Sequence, residues 1–390
     1  MYQFEAERTA SRKQAHLLSA CVLLLTGLGL ITLFSSSYMF ADRFFGDSYH
    51  FIKRQALFGI AGIVLFFICS RINLEKIRKL IMPLVALSAI LCALTLIPGI
   101  GVERQGASRW IRIGSYTYQP SEMVKLALPL YMAHIFDKKQ DNIGNFFSGI
   151  LPQVLITGSF FALIYAQNNL STAVFIVVSA LVIFFLAGVP FRHFIAIFVI
   201  FTPPSALLLF AREHRVRRLL SFLQPEWDPL GAGYQVRSSL LTIISGGLWG
   251  KGIGQGTRKI ASVPEIHSDF IFSAYAEEGG FLGVLFFFAL FAIFAFLGYS
   301  AALRSGSVFR RLLAAGLVTM IVSQAMLNIA VVSGALPATG IPLPFFSAGG
   351  SSLATTLICA GLIVNVARKT ADETTYGTVT AGVMEDQDVQ

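Results

Sequence analysis

Long apolar runs alternate with short polar segments along most of the chain. A transmembrane helix needs about 20 predominantly apolar residues, and the runs come close to that length. The pattern therefore predicts an all-α polytopic membrane protein, a bundle of about ten transmembrane helices. The runs lie near residues 16–37, 54–70, 79–98, 121–136, 148–166, 170–187, 191–211, 272–300, 311–335 and 350–367.

The polar segments divide the chain into three regions. Residues 1–15 are predicted to be a cytoplasmic N-terminal segment, residues 16–369 the membrane domain, and residues 370–390 a disordered, acidic cytoplasmic tail. The longest polar segment, about 212–271, falls between the seventh and eighth runs and predicts a large extracytoplasmic loop. The first run follows a basic segment, as in a signal peptide. No small-residue cleavage site comes after it, so we interpret it as a membrane anchor.

Composition excludes a soluble globular chain, because 55% of the residues are hydrophobic and only 13% are charged. The formal net charge is +9, although the tail contains five acidic residues and no Lys or Arg. Such a basic body favours anionic membrane lipids or an anionic lipid-linked substrate as partners, and not nucleic acid. The four cysteines lie in apolar runs without the spacing of a metal site, so we interpret them as core residues.

The distribution of Lys and Arg predicts the orientation of the chain. These residues concentrate in the segments after the even-numbered runs, and the positive-inside rule then places both termini in the cytoplasm. Two outer segments, 99–119 and about 212–270, are basic against this rule. Their cations either bind phosphate groups at the outer leaflet or only solvate an outer loop. The candidates for phosphate binding are Arg109, Arg237, Lys251 and Arg258.

Residues 262–280 place carboxylates directly before a long apolar run. Ser262 and Glu265 have the spacing of a capping box, which predicts a helix start. On such a helix Glu265 and Asp269 are four residues apart and share one face. A carboxylate held at a membrane surface is a candidate proton acceptor. The alternative is an interfacial helix whose acids only face solvent.

The fourth run carries Glu122 and Lys125 at its outer end, three residues apart and therefore on one helical face. Ionisable groups at membrane depth are usually functional, and the alternative is an internal ion pair that only fixes helix packing. The other runs contain almost no charge near their centres, where a proton-coupled transporter needs it. This distribution favours chemistry at the outer face of the membrane.

Two glycine-rich segments lie in the outer loops. Residues 246–256 match no nucleotide-binding motif, and they form either a re-entrant packing turn or a phosphate cradle. Residues 336–352 are uncharged and rich in Pro and Gly, which suits a rigid loop that dips into the membrane edge. In the helix that follows, Ser351 and Ser352 are either simple caps or part of an anion-binding N-terminus.

Several long motifs occur in a fixed order and resemble those of the SEDS family, which comprises FtsW, RodA and SpoVE. The similarity extends from the first apolar run to Lys369. The motifs are Arg109-Trp-Ile-Arg-Ile-Gly114, Gln119-Pro-Ser-Glu-Met-Val-Lys125, Gly233-Tyr-Gln235, Ser245-Gly-Gly-Leu-Trp-Gly-Lys-Gly-Ile-Gly254, Pro264-Glu-Ile-His-Ser-Asp-Phe270 and Gly340-Ile-Pro-Leu-Pro-Phe-Phe-Ser-Ala-Gly-Gly-Ser-Ser352.

The resemblance implies a helix bundle that polymerises lipid II into glycan strands outside the bacterial cytoplasmic (inner) membrane. The implied partners are a class B penicillin-binding protein, which crosslinks the product, and other divisome or elongasome proteins. The family's essential acid falls on Asp269, its polar pair on Glu122 and Lys125, and its Arg-Trp motif on Trp110. The segment 112–118 is more similar to FtsW than to the other members.

Two positions depart from the family pattern. Asn169 replaces the usual aspartate, so neither an acid function nor a carboxylate metal site is expected there. Ala348 replaces the usual tyrosine, which loses an aromatic contact and keeps the turn. Neither change affects Asp269.

The resulting hypothesis is an inverting glycosyltransferase in which Asp269 is the general base. It requires no cofactor and leaves open a divalent cation, Mg²⁺ or Mn²⁺, at the substrate diphosphate. Two other functions are compatible with the chain: a lipid II flippase, and a non-catalytic scaffold for a class B penicillin-binding protein. The predicted substrate-binding residues are Arg109, Trp110, Glu122, Lys125, Arg237, Lys251, Arg258 and Ser351.

Overall fold

Helices dominate the computed structural model, which describes residues 2–104, 106–114, 116–210, 213–224, 231–256 and 266–387. Each predicted apolar run overlaps one α-helix. Within the described residues the helices are α1 Tyr2–Phe45, α2 His50–Cys69, α3 Leu74–Leu94, α4 Pro120–Lys138, α5 Leu151–Ala166, α6 Leu170–Leu186, α7 Phe191–Phe210, α8 Glu213–Leu223, α9 Ala232–Ser245, α10 Ile271–Arg304, α11 Val308–Val332 and α12 Gly350–Gln387. A 3₁₀ turn, Gln140–Asn142, and a π-helical turn, Phe146–Ile150, precede α5.

Seven of the described helical stretches are long and apolar enough to cross a membrane, and α6 is a shorter apolar helix. The chain is therefore a polytopic, mainly α-helical membrane protein, as predicted. Helix α12 packs against α1, α2 and α11 and is the most enclosed span, with 83% of its apolar window buried. Helices α2 and α3, at 22% each, lie at the periphery, where their apolar surface suits lipid.

Helix α12 differs from the prediction at both ends. It begins at Gly350, so Ser351 and Ser352 are its second and third residues and do not occupy the cap position. It continues to Gln387, through the tail that composition predicted to be disordered. No proline follows Gly350, so nothing in the sequence forces the helical backbone to end.

A small antiparallel sheet follows α3, in the basic outer segment 99–119, for which the sequence predicted no secondary structure. Its strands are β1 Gly101–Arg104, β2 Ala107–Ile113 and β3 Tyr116–Tyr118, in the order β1-β2-β3. Trp110 pairs with Val102, and Ile111 pairs with both Gly101 and Tyr118. The sheet gives Arg109 and Trp110 a rigid support at the end of the helix bundle.

Helix α10 is two helices that meet at Gly280. This residue has φ 61° and ψ −164°, a conformation that only glycine adopts readily. A side chain on Gly280 would also collide with the backbone of residues 248–250. Residues 271–278 before the break are buried in the protein, whereas Phe281 and Leu282 after it are exposed and begin the lipid-facing span.

The glycine-rich segment 246–256 packs against this break. The backbone N–H groups of Lys251 and Gly252 donate to the carbonyls of Glu277 and Glu278, both at 3.0 Å. In the other direction, the N–H of Phe281 donates to the carbonyl of Gly247 at 2.9 Å. These amides are used within the protein, so the structure favours the packing turn over the phosphate cradle.

The loop 336–349 between α11 and α12 lies inside the bundle. Phe345 and Phe346 are buried in its core. Gln55 of α2 donates from Nε2 to the carbonyl of Ser347 at 2.9 Å. The N–H of Ala348 donates to the carbonyl of His267 at 3.0 Å, which brings this loop next to the segment before α10.

Candidate functional site

Asp269 lies at the meeting point of three elements. Residues 266–270 form turns, so Asp269 precedes α10 and does not lie on a helical face; the predicted helix start at Ser262 and Glu265 is outside the described residues. Its Oδ1 accepts a hydrogen bond from Ser268 Oγ at 3.1 Å. The position that a Cβ would occupy on Gly340 is 3.3 Å from Asp269 Oδ2 and 4.0 Å from Arg109 Nη1.

Arg109 extends from β2 to the same point. It is half-buried, its Nη2 donates to the carbonyl of Asn168 at 2.8 Å, and its guanidinium lies 5.9 Å from the ring of Trp110. Burial and then the charge of Arg218 lower the pKa of Arg109 below its usual value, while Asp269 opposes this shift. Arginine remains protonated at neutral pH, because its ordinary pKa is far above that range.

Arg218 of α8 also acts on this site, although it was not among the residues predicted from the sequence. It is exposed, and its charge lowers the pKa of Arg109. Two like charges near each other favour an anion between them. The arginine-rich start of α8 was the available signal, but sequence alone could not show that the charge of Arg218 acts on Arg109.

Glu122 and Lys125 form a buried ion pair, with 2.8 Å between Glu122 Oε1 and Lys125 Nζ and 3% exposure of each side chain. Lys125 Nζ also donates to Oε1 of Gln324 on α11 at 3.1 Å. Burial and the charge of Glu122 raise the pKa of Tyr118 to about 12, so the phenol stays protonated at physiological pH. The pair therefore joins α4 to α11, and the charge of Glu122 acts on Tyr118 at the end of the sheet.

Gln324 and Asn328 extend this polar network to Asp269. Gln324 Nε2 donates to the carbonyl of Pro342 at 2.8 Å. Asn328 Nδ2 donates to the carbonyls of both Asp269, at 2.7 Å, and Ile341, at 2.9 Å. The two amides are four residues apart and share one face of α11. Gln324 and Asn328 were not predicted as site residues, although polar side chains within an apolar run were a visible signal.

Lys251 is at the other end of the buried part of α10. Its Nζ lies 2.6 Å from Glu277 Oε1 and 3.0 Å from Ser245 Oγ. Glu277 is six residues into α10, so this pair is about 9 Å along the axis from the end that follows Asp269. The structure therefore does not place Lys251 beside Asp269 and Arg109.

Glu278, next to Glu277, accepts hydrogen bonds from the Ser35 hydroxyl and, at 2.9 Å, from the N–H of Gly254. Both glutamates lie in the segment 262–280, which the sequence singled out for its carboxylates, but no role was predicted for either of them. Their partners come from α1 and the glycine turn, which are far away in sequence. Together the two carboxylates hold the glycine turn against α10.

The other predicted site residues are dispersed. Arg237 is exposed on α9, and Ser351 is buried at the start of α12. Arg258 lies outside the described residues. Asn169 is buried and precedes α6. Among the described side chains, no group of three or more His, Cys, Asp or Glu residues is arranged to hold a metal ion.

An apolar groove separates α7 from α5 and α6. Its volume is about 840 Å³, and its lining contains no charged side chain. A groove of this composition can accept a hydrocarbon chain. Representative lining residues are Val154, Phe161, Val174, Phe184, Phe194 and Phe198.

The chain is thus a polytopic α-helical membrane protein in which Asp269 and Arg109 approach the same position at Gly340. The family model described as "Cell cycle protein", which covers FtsW, RodA and SpoVE, matches residues 15–372. The chain therefore belongs to this family, as its motifs predicted.

Two curated relatives illustrate the membership. The chain is similar to the "Probable peptidoglycan glycosyltransferase FtsW" of Geobacter sp. strain M18, with 36% identity over 347 residues that cover 89% of this chain and 95% of the relative. It is also similar to "Stage V sporulation protein E" of Bacillus subtilis strain 168, with 38% identity over 352 residues that cover 90% of this chain and 96% of the relative.

Solved structures agree with this assignment. A chain from a study of the structural coordination of polymerization and crosslinking by a peptidoglycan synthase complex matches with a TM-score of 0.75 and 28% identity, covering 90% of this chain and 97% of its own length. The rod shape determining protein RodA of Thermus thermophilus matches with a TM-score of 0.66 and 28% identity, covering 90% of this chain and 96% of its own length.

Proposed function

We propose that the chain is a peptidoglycan glycosyltransferase that polymerises lipid II at the outer face of the bacterial cytoplasmic membrane. Family membership and the names of the relatives support a role in peptidoglycan polymerisation. The observation that carries the catalytic part is the approach of the Asp269 carboxylate and the Arg109 guanidinium to the same side-chain-free position at Gly340. A base and a cation at one point are what glycosyl transfer from a diphosphate requires.

The proposed reaction inverts the donor sugar. Asp269 accepts the proton of the attacking sugar hydroxyl, whose oxygen forms the new β bond to the anomeric carbon of the donor. The bond from that carbon to the diphosphate breaks, and the diphosphate leaves with the electron pair. Arg109 and Arg218 stabilise its charge, and Arg237 at the exposed surface assists its approach.

The polyprenyl tail of the substrate is proposed to lie in the apolar groove between α5, α6 and α7. The groove's volume and its lack of charged side chains support this assignment. The buried pair of Glu122 and Lys125, with Gln324, then holds the loop 336–349 at the polar end of the site. Lys251 is paired with Glu277 and is assigned to the glycine turn.

A class B penicillin-binding protein is the proposed partner, because one structural neighbour comes from a complex that couples polymerization and crosslinking. The proposed role is in cell division, with cell elongation as the alternative. The family description "Cell cycle protein" and the similarity of segment 112–118 to FtsW support the first of these. Both termini are proposed to be cytoplasmic, from the distribution of Lys and Arg.

The test compares Asp269→Asn with wild type in polymerisation of lipid II by the purified protein with its penicillin-binding partner. Loss of a positioned base predicts a rate reduced by roughly 10²-fold or more, with unchanged thermal unfolding and partner binding. Asp141→Asn, in the exposed 3₁₀ turn, is the matched control and should retain wild-type activity. Wild-type polymer yield from Asp269→Asn would refute the assignment. Parallel reactions with EDTA test for a divalent cation.

A further inference from the structure

We infer that the lack of a side chain at Gly340 is required for activity at the proposed reaction site. The absence of a side chain there leaves a gap between Asp269 and Arg109, and the attacking sugar hydroxyl and a neighbouring phosphate oxygen occupy this gap. The inference rests on the proposed function and adds to it the residue that shapes the space in front of the base.

The need for glycine at position 340 is explained by the space that a side chain would occupy, and not by the backbone conformation. Gly340 does not have a left-handed φ, so an alanine can adopt its backbone conformation without strain. A Cβ at this position would be 3.3 Å from Asp269 Oδ2 and 4.0 Å from Arg109 Nη1. A methyl group would therefore fill the interval between the two groups that the reaction needs to reach together.

The loop that carries Gly340 cannot easily move away from Asp269. The next two carbonyls, of Ile341 and Pro342, accept hydrogen bonds from Asn328 and Gln324 at 2.9 and 2.8 Å. The same Asn328 amide holds the carbonyl of Asp269 at 2.7 Å. The loop at Gly340 and the backbone of Asp269 are thus both held by α11. A shift of the loop alone therefore cannot make room for a side chain added at position 340.

Two residues next to Gly340, one in sequence and one in space, have unsatisfied polar atoms. The hydroxyl of Thr339 and the Nε of Arg109 are buried and have no hydrogen-bond partner among the described residues. Buried polar groups are normally paired, so such atoms beside a gap indicate a polar ligand. A sugar hydroxyl and a phosphate oxygen supply both the acceptors and the donor that these atoms lack.

The test is a size series at position 340, with Gly340→Ala and Gly340→Val assayed in the same lipid II polymerisation reaction. We expect kcat/KM to fall by roughly tenfold or more for alanine and further for valine, because each step overpacks the gap. Gly144→Ala, in the α4–α5 connection, is the control: its Cβ would have no atom within 4 Å and its φ is not left-handed. It should retain wild-type kcat/KM.

Thermal unfolding and co-purification with the penicillin-binding partner establish that each variant is folded. A folded Gly340→Ala protein with wild-type kcat and KM would overturn the inference. The Asp269→Asn arm separates the two proposals. If Asp269→Asn is inactive while Gly340→Ala is fully active, only the role of Gly340 fails. If Asp269→Asn is active, the proposed base itself is wrong.

Discussion

The buried pair of Lys251 and Glu277 allows a direct decision between a structural role and substrate binding for Lys251. Lys251→Met removes the ammonium that lies 2.6 Å from Glu277 Oε1, and the Glu277 side chain is 0% exposed. Glu277 also lies near the carboxyl end of residues 271–279, where the helix dipole already creates negative potential. The substitution therefore removes the cation that contacts a buried carboxylate at the least favourable end of a helix.

The magnitude follows from this geometry. Breaking a buried ion pair by removing one partner costs about 3–5 kcal/mol. Lys251 is 29% exposed and the Ser245 hydroxyl, 3.2 Å from Glu277 Oε1, remains, so we expect the lower end, about 3 kcal/mol. Glu277→Gln should cost less, about 1–2 kcal/mol, because water can still reach the ammonium that is left. The double variant should be more stable than Lys251→Met alone, since it also removes the buried charge of Glu277.

The free energy of unfolding is measured by denaturant titration in detergent micelles, and the coupling energy is taken from the double-mutant cycle. Lys53→Met is the matched control, because Lys53 makes a pair of similar geometry with Asp47, at 2.8 Å, on the exposed surface. Water screens that pair, so no measurable change is expected. The kcat/KM for lipid II polymerisation is recorded for every variant.

Two results would refute this reasoning. One is a Lys251→Met protein as stable as Lys53→Met. The other is a Lys251→Met protein with an unchanged free energy of unfolding and a raised KM for lipid II. That result would show that Lys251 binds substrate, as predicted from the sequence.

Two other substitutions test the site and the fold. Asn328→Leu removes both donors that fix the carbonyls of Asp269 and Ile341, at 2.7 and 2.9 Å; we expect a stability loss of about 1–3 kcal/mol and a lower kcat with little change in KM. If kcat is unchanged, Asn328 does not position the base. Gly280→Ala introduces a side chain at φ 61° against the backbone of residues 248–250, and we expect little monodisperse protein after purification. The neighbouring Gly279→Ala, whose Cβ would meet nothing within 4 Å, should purify normally. Equal yields would show that the break in α10 does not depend on glycine.

Some features could be predicted because they depend only on nearby residues. The transfer of an apolar run into lipid is favourable wherever the run occurs, so the positions of the helices followed from the hydrophobic pattern. The pair of Glu122 and Lys125 was equally predictable, because helical periodicity places residues three apart on one face. The short strands of the sheet were not recognised, since β2 spans seven residues and β3 only three, too few for a clear alternation.

The membrane-spanning helices, the family motifs and Asp269 as a candidate base could all be identified from the amino-acid sequence. The groups that surround the Asp269 carboxylate could be identified only in the folded protein. Arg109, Asn328 and Gly340 come from a strand, a helix and a loop that are distant in sequence, and their approach depends on helix packing. Packing also assigned Lys251 to Glu277 and the glycine-rich segment to the break in α10. The physical reason is that partner choice among buried polar groups is set by long-range geometry, which no local periodicity encodes.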